Sequence, residues 1–303
     1  MTTLEEFQFE ILPAEDADDG VVFGIGADIS CDEDGFHPGS TSWATQNSSS
    51  AANGVTNFGR DVLLGPLWAW DLHISRDDCE EAVESLAAFT TAWRAAQIRE
   101  TPRTVLPIRY QLAGRTRRIY GRPQNVEDSV NNLILSGYAQ LGADFQAVDG
   151  YTYSDDSSGV TMVIPATDFD RHGPGLVYPI TLPASSVVGD ESIRNVSIGG
   201  DTTAWGIFRF NGPWVDPSVY TDEWALSFPG FEIPDGQFIE VDTRPWVKTV
   251  LLNGTAPVGG YMGKRQKLFG ARLDPGDVTI RAGGTSSTGT TCQISWRSTF
   301  NSI

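Results

Sequence analysis

The sequence predicts a mainly β protein of two domains, and three observations carry that prediction. Apolar and polar residues alternate through both halves, most clearly in "LWAWDLHI", where Trp68, Trp70, Leu72 and Ile74 fall on one face. One stretch, "SRDDCEEAVESLAAFTTAWRAAQ", has helical rather than strand periodicity. Past residue 165, short strand-like runs are separated by turn signals every ten or so residues, which is the spacing of a sandwich or jelly roll. At 303 residues the chain exceeds one average domain.

Taken in order, residues 21–29 are β-rich and bounded by glycines. A long Gly/Ser/Asn segment, "HPGSTSWATQNSSSAANGVTNFG", follows, and loops of that length (38–58 here) are functional or mobile as a rule. The helix is expected over residues 75–97. Ser75 with Asp78 three residues on has the form of a capping box, and acids in the first turn suit the helix dipole. Cys79, Val83, Leu86, Phe89 or Thr90, and Trp93 recur at helical spacing, so this helix packs an apolar stripe on a sheet.

"VLPIRYQLAGRTRRIYGRP" reads as a hairpin turning at Ala113-Gly114. A strand is expected next in "NLILSGYAQLGADFQAVDGYTY", where Leu133 and Leu135 alternate with polar positions before the pattern blurs. A polar break at residues 154–159 and the Pro/Gly-rich "IPATDFDRHGPGLVYPITLP" then mark a linker. The predicted domains are residues 1–164 and 165–303.

In the second half, residues 237–242 read as a strand with Ile239 and Val241 inward, ending in Asp242, which is expected to hydrogen-bond its own turn. Thr243-Arg244-Pro245 bends the chain, Trp246 to Leu252 returns, and Asn253-Gly254 is a strong turn signal. Pro275-Gly276 is read as a type II turn feeding a strand through Val278 and Ile280. "CQISWRSTF" alternates Cys292, Ile294 and Trp296 inward with Gln293, Ser295 and Arg297 outward.

Composition excludes several classes. Cys31, Cys79 and Cys292 are odd in number and far apart, which is neither a disulfide framework nor a zinc spacing; they read as buried apolar residues of a chain folded in a reducing cytoplasm. The N-terminus lacks the pattern of a secretory signal, and no apolar run is long enough for a membrane span. A formal charge of −18 argues against nucleic acid and anionic lipid as partners. His37, His73 and His172 stand apart from one another, and no nucleophile elbow, P-loop or kinase signature is present, so no metal, cofactor or catalytic residue is assigned. Gly24-x-Gly26 lacks its third glycine, and "CDEDGF" lacks the closing glutamate of a calcium loop.

The charge is segregated. Residues 5–34 hold eleven acids and no Lys or Arg, whereas residues 94–122 hold eight arginines and one acid, Glu100. Two solvated faces would account for this, and so would complementary surfaces meeting between subunits. On the second reading Arg109, Arg115, Arg117 and Arg118 make subunit contacts. Five of the nine tryptophans fall in the second half and read as core, since aromatics dominate cores, unless one is a platform that stacks a sugar ring. Trp246, which follows Arg244-Pro245 at a turn, is the candidate for that exposure.

The order G-x-x-I-x-V-D-T, hairpin, L-x-P-G-x-x-x-I, and a last strand ending in W-R resembles the C-terminal half of the siphophage distal tail protein family. Asp242, Thr243, Pro275, Gly276, Trp296 and Arg297 carry that order, with "GPWVDPSV" and "GLVYPITLP" at similar places upstream. The resemblance implies an N-terminal β-sandwich with one helix that forms a hexameric ring at the end of a phage tail, and a galectin-like C-terminal β-sandwich that projects outward. It also implies partners: further copies of the chain, the tail-tube protein, the tail-tip hub and host-recognition components, in a virion assembled in the host cytoplasm. The long Ser/Asn segment and the acidic N-terminus depart from the family's simple pattern. A module that binds cell-wall glycans through Trp246 is the alternative, and a wall hydrolase is a third possibility without a motif.

Overall fold

The computed structural model describes residues 2–15, 17–49, 55–59, 61–129, 132–166, 192–263 and 268–302. "GLVYPITLP" and His172 lie outside the described residues. Two compact units emerge, residues 1–155 with 300–303, and residues 156–299. The division thus falls nine residues before the expected one. The reason is β13 (Ser158–Ile164), which pairs along its whole length with β23 (Thr290–Trp296) of the second unit.

The first unit holds β1 (Gln8–Ile11), β2 (Val21–Gly24), β3 (Ile29–His37), β8 (Leu67–Ser75), β9 (Leu106–Leu112), β10 (Arg115–Ser129), β11 (Tyr138–Ala147) and β12 (Thr152–Ser154). The main path of its sheet runs β2-β1-β9-β10-β11-β8-β3, and β12 pairs with β10. Strands at opposite ends of that path meet: β2 contacts β3, Phe9 of β1 lies 5.4 Å from Trp70 of β8, and Phe23 of β2 lies 5.4 Å from the same ring. One sheet is therefore rolled so that its two halves face each other across a shared aromatic core. The alternation in β8 is as expected, with Trp68, Trp70, Leu72 and Ile74 all buried.

The helical stretch divides into α1 (Cys79–Arg94) and α2 (Ala96–Arg99), broken at Ala95, whose φ is +45°. Ser75 does not cap it, because Ser75 is paired with Tyr138 in the sheet. Asp78 is the N-cap instead, its carboxylate accepting from the Glu81 amide at 2.9 Å. The inward stripe is Ala82, Leu86, Phe89 and Trp93, while Val83 is exposed. Trp93 meets Phe23 and Trp70, and its indole Nε1 donates to the Asn125 carbonyl on β10 at 3.0 Å, so the helix is fastened to the rolled sheet. Burying a side chain of this size contributes about 1.5–3 kcal/mol.

Two further expectations change. The strand expected in residues 132–153 is β11, which starts at Tyr138, while residues 132–136 form a 3-10 turn with Leu135 75% exposed. The long Ser/Asn segment is a ribbon, in which β4 (Ser42–Ala44) pairs β7 (Val62–Leu64) and β5 (Ser48–Ser49) pairs β6 (Thr56–Asn57).

The second unit has two sheets around one core. The first runs β13-β23-β15-β19-β20-β21, with β15 (Gly206–Asn211), β19 (Phe238–Asp242), β20 (Thr249–Leu252) and β21 (Ala256–Pro257). The second runs β14-β22-β16-β17, with β14 (Ile193–Ile198), β16 (Trp214–Tyr220), β17 (Ala225–Ser227) and β22 (Gly276–Thr285), and β18 (Glu232–Ile233) pairs β16. Phe208, Ile239, Val241 and Ile294 from one sheet share a buried cluster with Trp214, Val219 and Ile280 from the other. That is a β-sandwich. Gly276 opens β22 at a φ of +111°, a conformation that glycine adopts without the penalty a side chain would bring.

Candidate functional site

The arginine hairpin forms as the sequence implies. β9 and β10 pair in register through Leu112↔Arg115, and Ala113 and Gly114 turn at φ values of +51° and +70°. Its arginines, however, do not present a basic face. Arg109 and Arg118 stand directly opposite each other and project to the side away from the core residues Ile108, Tyr110 and Ile119. There Asp155 lies between them. Arg109 Nη2 donates to Asp155 Oδ2 at 2.7 Å, and Arg118 Nη2 to Oδ1 at 2.7 Å. Glu10, its own strand paired beside Arg109, accepts from Arg109 Nη1 at 2.5 Å. The N-terminal segment closes the cluster, since Arg118 also donates to the Glu15 carbonyl and Arg109 to that of Thr2.

Two cations and two carboxylates are thereby balanced out of water. Burial alone would push the Asp155 carboxyl up, but hydrogen bonds from Arg109 and Arg118 outweigh it and hold the pKa below its ordinary value. Burial opposes the charge on Arg109 as well, and its bonds to Asp155 and Glu10 raise its pKa regardless.

Arg117 projects to the opposite face of β10. It donates to the Ser302 carbonyl at 2.6 Å and to Thr152 Oγ1 at 3.2 Å, and its guanidinium lies 3.9 Å from the centre of the Phe300 ring. Expected subunit contacts through Arg109, Arg117 and Arg118 are therefore corrected: all three are buried inside the first unit, Arg118 with 0% exposure. Of the acidic segment that was to meet them on another subunit, Glu10 meets Arg109 and the Glu15 carbonyl meets Arg118 in the same chain. Glu6 completes the pattern by accepting from the Ala113 and Gly114 amides at the hairpin turn. Sequence counts revealed the two charge blocks but not their pairing, which depends on β1 lying beside β9. Arg115, at the end of the hairpin, is exposed.

The second unit's candidates are also internal. Trp246 is only 7% exposed, so it offers no face for stacking a sugar, and the glycan platform assigned to it is withdrawn. The neighbouring turn holds it down. Asp242 accepts from the Arg244 amide at 2.9 Å and takes a forked pair of bonds from its guanidinium, with Nη2 at 2.6 Å. Thr243 donates through Oγ1 to the Gly206 carbonyl at 2.8 Å and accepts from the Gly206 amide at 3.1 Å. Trp296 is buried, Arg297 is half-buried, and Pro275 and Gly276 are exposed at their turn.

Two features were not foreseen. A cavity of about 390 Å³ in the first unit is lined by Pro66, Trp68, Ile119, Asp149, Thr152 and Ser302, among others. Burial pushes the Asp149 carboxyl up to about 6, although it accepts from Tyr153 Oη at 2.7 Å and from the Tyr151 amide. The ribbon exposes apolar residues, with Trp43 60% and Phe58 81% exposed. No signal in the ribbon's composition distinguishes a paired ribbon from a loop.

No family model matches the sequence. No curated protein matches it either. Solved structures do. A chain of the phage P2 baseplate in its activated conformation with Ca is 12% identical, with a TM-score of 0.55 over 98% of this chain and 99% of that one. A chain of the phage p2 baseplate in its activated conformation with Sr is 13% identical, with a TM-score of 0.54 over 95% of this chain and 97% of that one. SPP1 Dit (gp 19.1) aligns at 11% identity with a TM-score of 0.49, over 86% and 89% of the two chains. Over nearly its whole length, then, this chain has the fold of the two baseplate chains.

Proposed function

We propose that this chain is a structural protein of a long-tailed bacteriophage, placed at the distal end of the tail. Its first domain forms a ring, hexameric by the family resemblance, that joins the tail tube to the tail-tip hub. Its second domain carries docking sites for host-recognition components, and the ring is built in the host cytoplasm. The observation that carries this reading is the full-length likeness to phage baseplate chains. Fold does not by itself imply function. One fact adds support: the order of turns and strands around Asp242 and Pro275 resembles the distal tail protein family. The role is that of a scaffold rather than an enzyme. With Trp246 buried, no observation favours the glycan-binding alternative.

Light scattering with negative-stain imaging of the same peak tests it. Annular particles with a central hole are expected. A chain that stays monomeric at high concentration, and also when mixed with tail-tube and hub proteins, would overturn the ring.

A further inference from the structure

The cavity of the first unit combines apolar walls with one carboxylate that has no counter-ion. Trp68, Ile119 and Ala147 are buried and supply the apolar lining, while the exposed residues 39–41, at the foot of the ribbon, line its open side. Its volume of about 390 Å³ lies in the range of small-molecule sites. The polar groups at Thr152 and Ser302 are already committed. Thr152 Oγ1 donates to the Ser302 carbonyl and accepts from Arg117, which bonds the same carbonyl.

Asp149 differs. It lies between β11 and β12, and no Lys, Arg or His accompanies it among the described residues that line the cavity. Its carboxyl accepts from the Tyr151 amide at 3.1 Å and from the Tyr153 hydroxyl at 2.7 Å, both neutral donors. A carboxylate has about four acceptor positions, so capacity remains. A charge enclosed by protein without a partner is costly, and a bound cation lowers that cost. A hard metal ion, which takes about six oxygen ligands or more, is poorly served by a single carboxylate. The apolar walls suit an alkyl stem instead.

We propose that this cavity binds a primary ammonium carried on an aliphatic stem, with the cation on Asp149 and the stem against Trp68, Ile119 and Ala147. The ammonium belongs either to a free alkylamine or to a lysine side chain of a partner protein. The site does not rest on the tail-tip reading.

Calorimetry with n-butylamine at neutral pH tests it. n-Butanol, of similar length but uncharged, and the variant Asp149→Asn are each expected to weaken binding about tenfold or more, as loss of a charged hydrogen bond does. Glu33→Gln, which removes an exposed acid of β3, is expected to leave it unchanged. Equal affinity for amine and alcohol, no saturable binding of the amine, or unchanged affinity in Asp149→Asn overturns the site. Should Asp149→Asn fail to fold, pH decides. Asp149 titrates at about 6. Tyr151 and Tyr153, which adjoin it, and Tyr120, whose ring lies 5.2 Å from that of Tyr153, are phenols that ionise near 10 or above, and Arg117 behind Thr152 stays charged. His37, next to Pro38 of the lining, titrates in the same range as Asp149, so the series is run in His37→Gln. Affinity is expected to fall about tenfold from pH 7 to pH 5, following the ionised fraction of Asp149, and a pH-independent affinity overturns the proposal. N-acetyl-lysine methylamide separates the sources: binding as tight as that of n-butylamine supports a partner's lysine, and its exclusion while the amine binds supports a free amine.

Discussion

Arg109 and Arg118 face each other in register on neighbouring strands, and a single carboxylate, Asp155, is bonded to both. Like charges directly opposed across a strand pair destabilise a sheet, and burial amplifies the repulsion. The pair is tolerable only because Asp155 lies between the two guanidinium groups and Glu10 takes the outer side of Arg109. One acid of the N-terminal segment, Glu10, and two arginines of the hairpin thus belong to one interior cluster.

Removing the shared carboxylate leaves two buried cations with one partner. Asp155→Asn is expected to destabilise the first domain by about 3–5 kcal/mol, the usual consequence of breaking a buried ion pair from one side. Urea unfolding at neutral pH measures it. A loss below about 1 kcal/mol would mean that water, not Asp155, neutralises the arginines.

The two perturbed carboxylates act on stability in opposite directions. Asp155 has a lowered folded pKa, so its contribution is present above the ordinary value of 3.8 and is lost as pH falls through the folded value. Asp149 has a raised one, from 3.8 to about 6, so its contribution is full below 3.8 and is lost as pH rises through about 6. Stability should therefore decline from pH 4.5 to pH 7 in the wild type, and Asp149→Asn should flatten that decline. Urea midpoints at the two pH values give the answer, and an undiminished slope in the variant would place the titrating group elsewhere.

Trp246→Ala should behave as a core truncation. A buried tryptophan removed to alanine destabilises by about 3–5 kcal/mol, and the Asp242–Arg244 fork beside it would lose the ring it lies against. A melting temperature unchanged by the substitution would contradict the burial and reopen the surface on which sugar stacking was expected.

Which parts of this were legible in the sequence follows from how local their causes are. The alternation in β8, the Ala113-Gly114 turn and the Asp242 side chain bonded to its own turn are all set by neighbours within a few residues, and each forms as read. The helix start moved from Ser75 to Asp78 because a sheet partner, Tyr138, claims Ser75 from 63 residues away. Leu133 and Leu135 alternate as a strand would, yet they lie in a 3-10 turn and the strand begins at Tyr138. The arginines were misplaced for the same reason. Their composition is a local fact, whereas their burial depends on β1 pairing with β9 and on Asp155 arriving from the end of the unit. Trp246 follows a proline turn, which suggests exposure, but a turn residue can still fold back into the core.

Assembly of the proposed ring should be governed by repulsion as much as by attraction. The first unit carries 24 acids and 10 arginines, and three of those arginines are spent inside it. Copies brought edge to edge therefore repel, and salt screens exposed charges beyond about 8 Å at physiological strength and about 3 Å at 1 M. The fraction of chain in rings, read by sedimentation, should rise between low and high salt. Arg115 is an exposed arginine at the hairpin's end, and we place it at the subunit contact. Arg115→Glu should leave monomer stability within about 0.5 kcal/mol, as surface changes do, while lowering the ring fraction at low salt. The difference from wild type should close as salt is raised. Wild-type rings that dissolve on adding salt would show instead that complementary charged patches hold the subunits together, and an Arg115→Glu chain that assembles normally at every salt concentration would remove the hairpin from the contact.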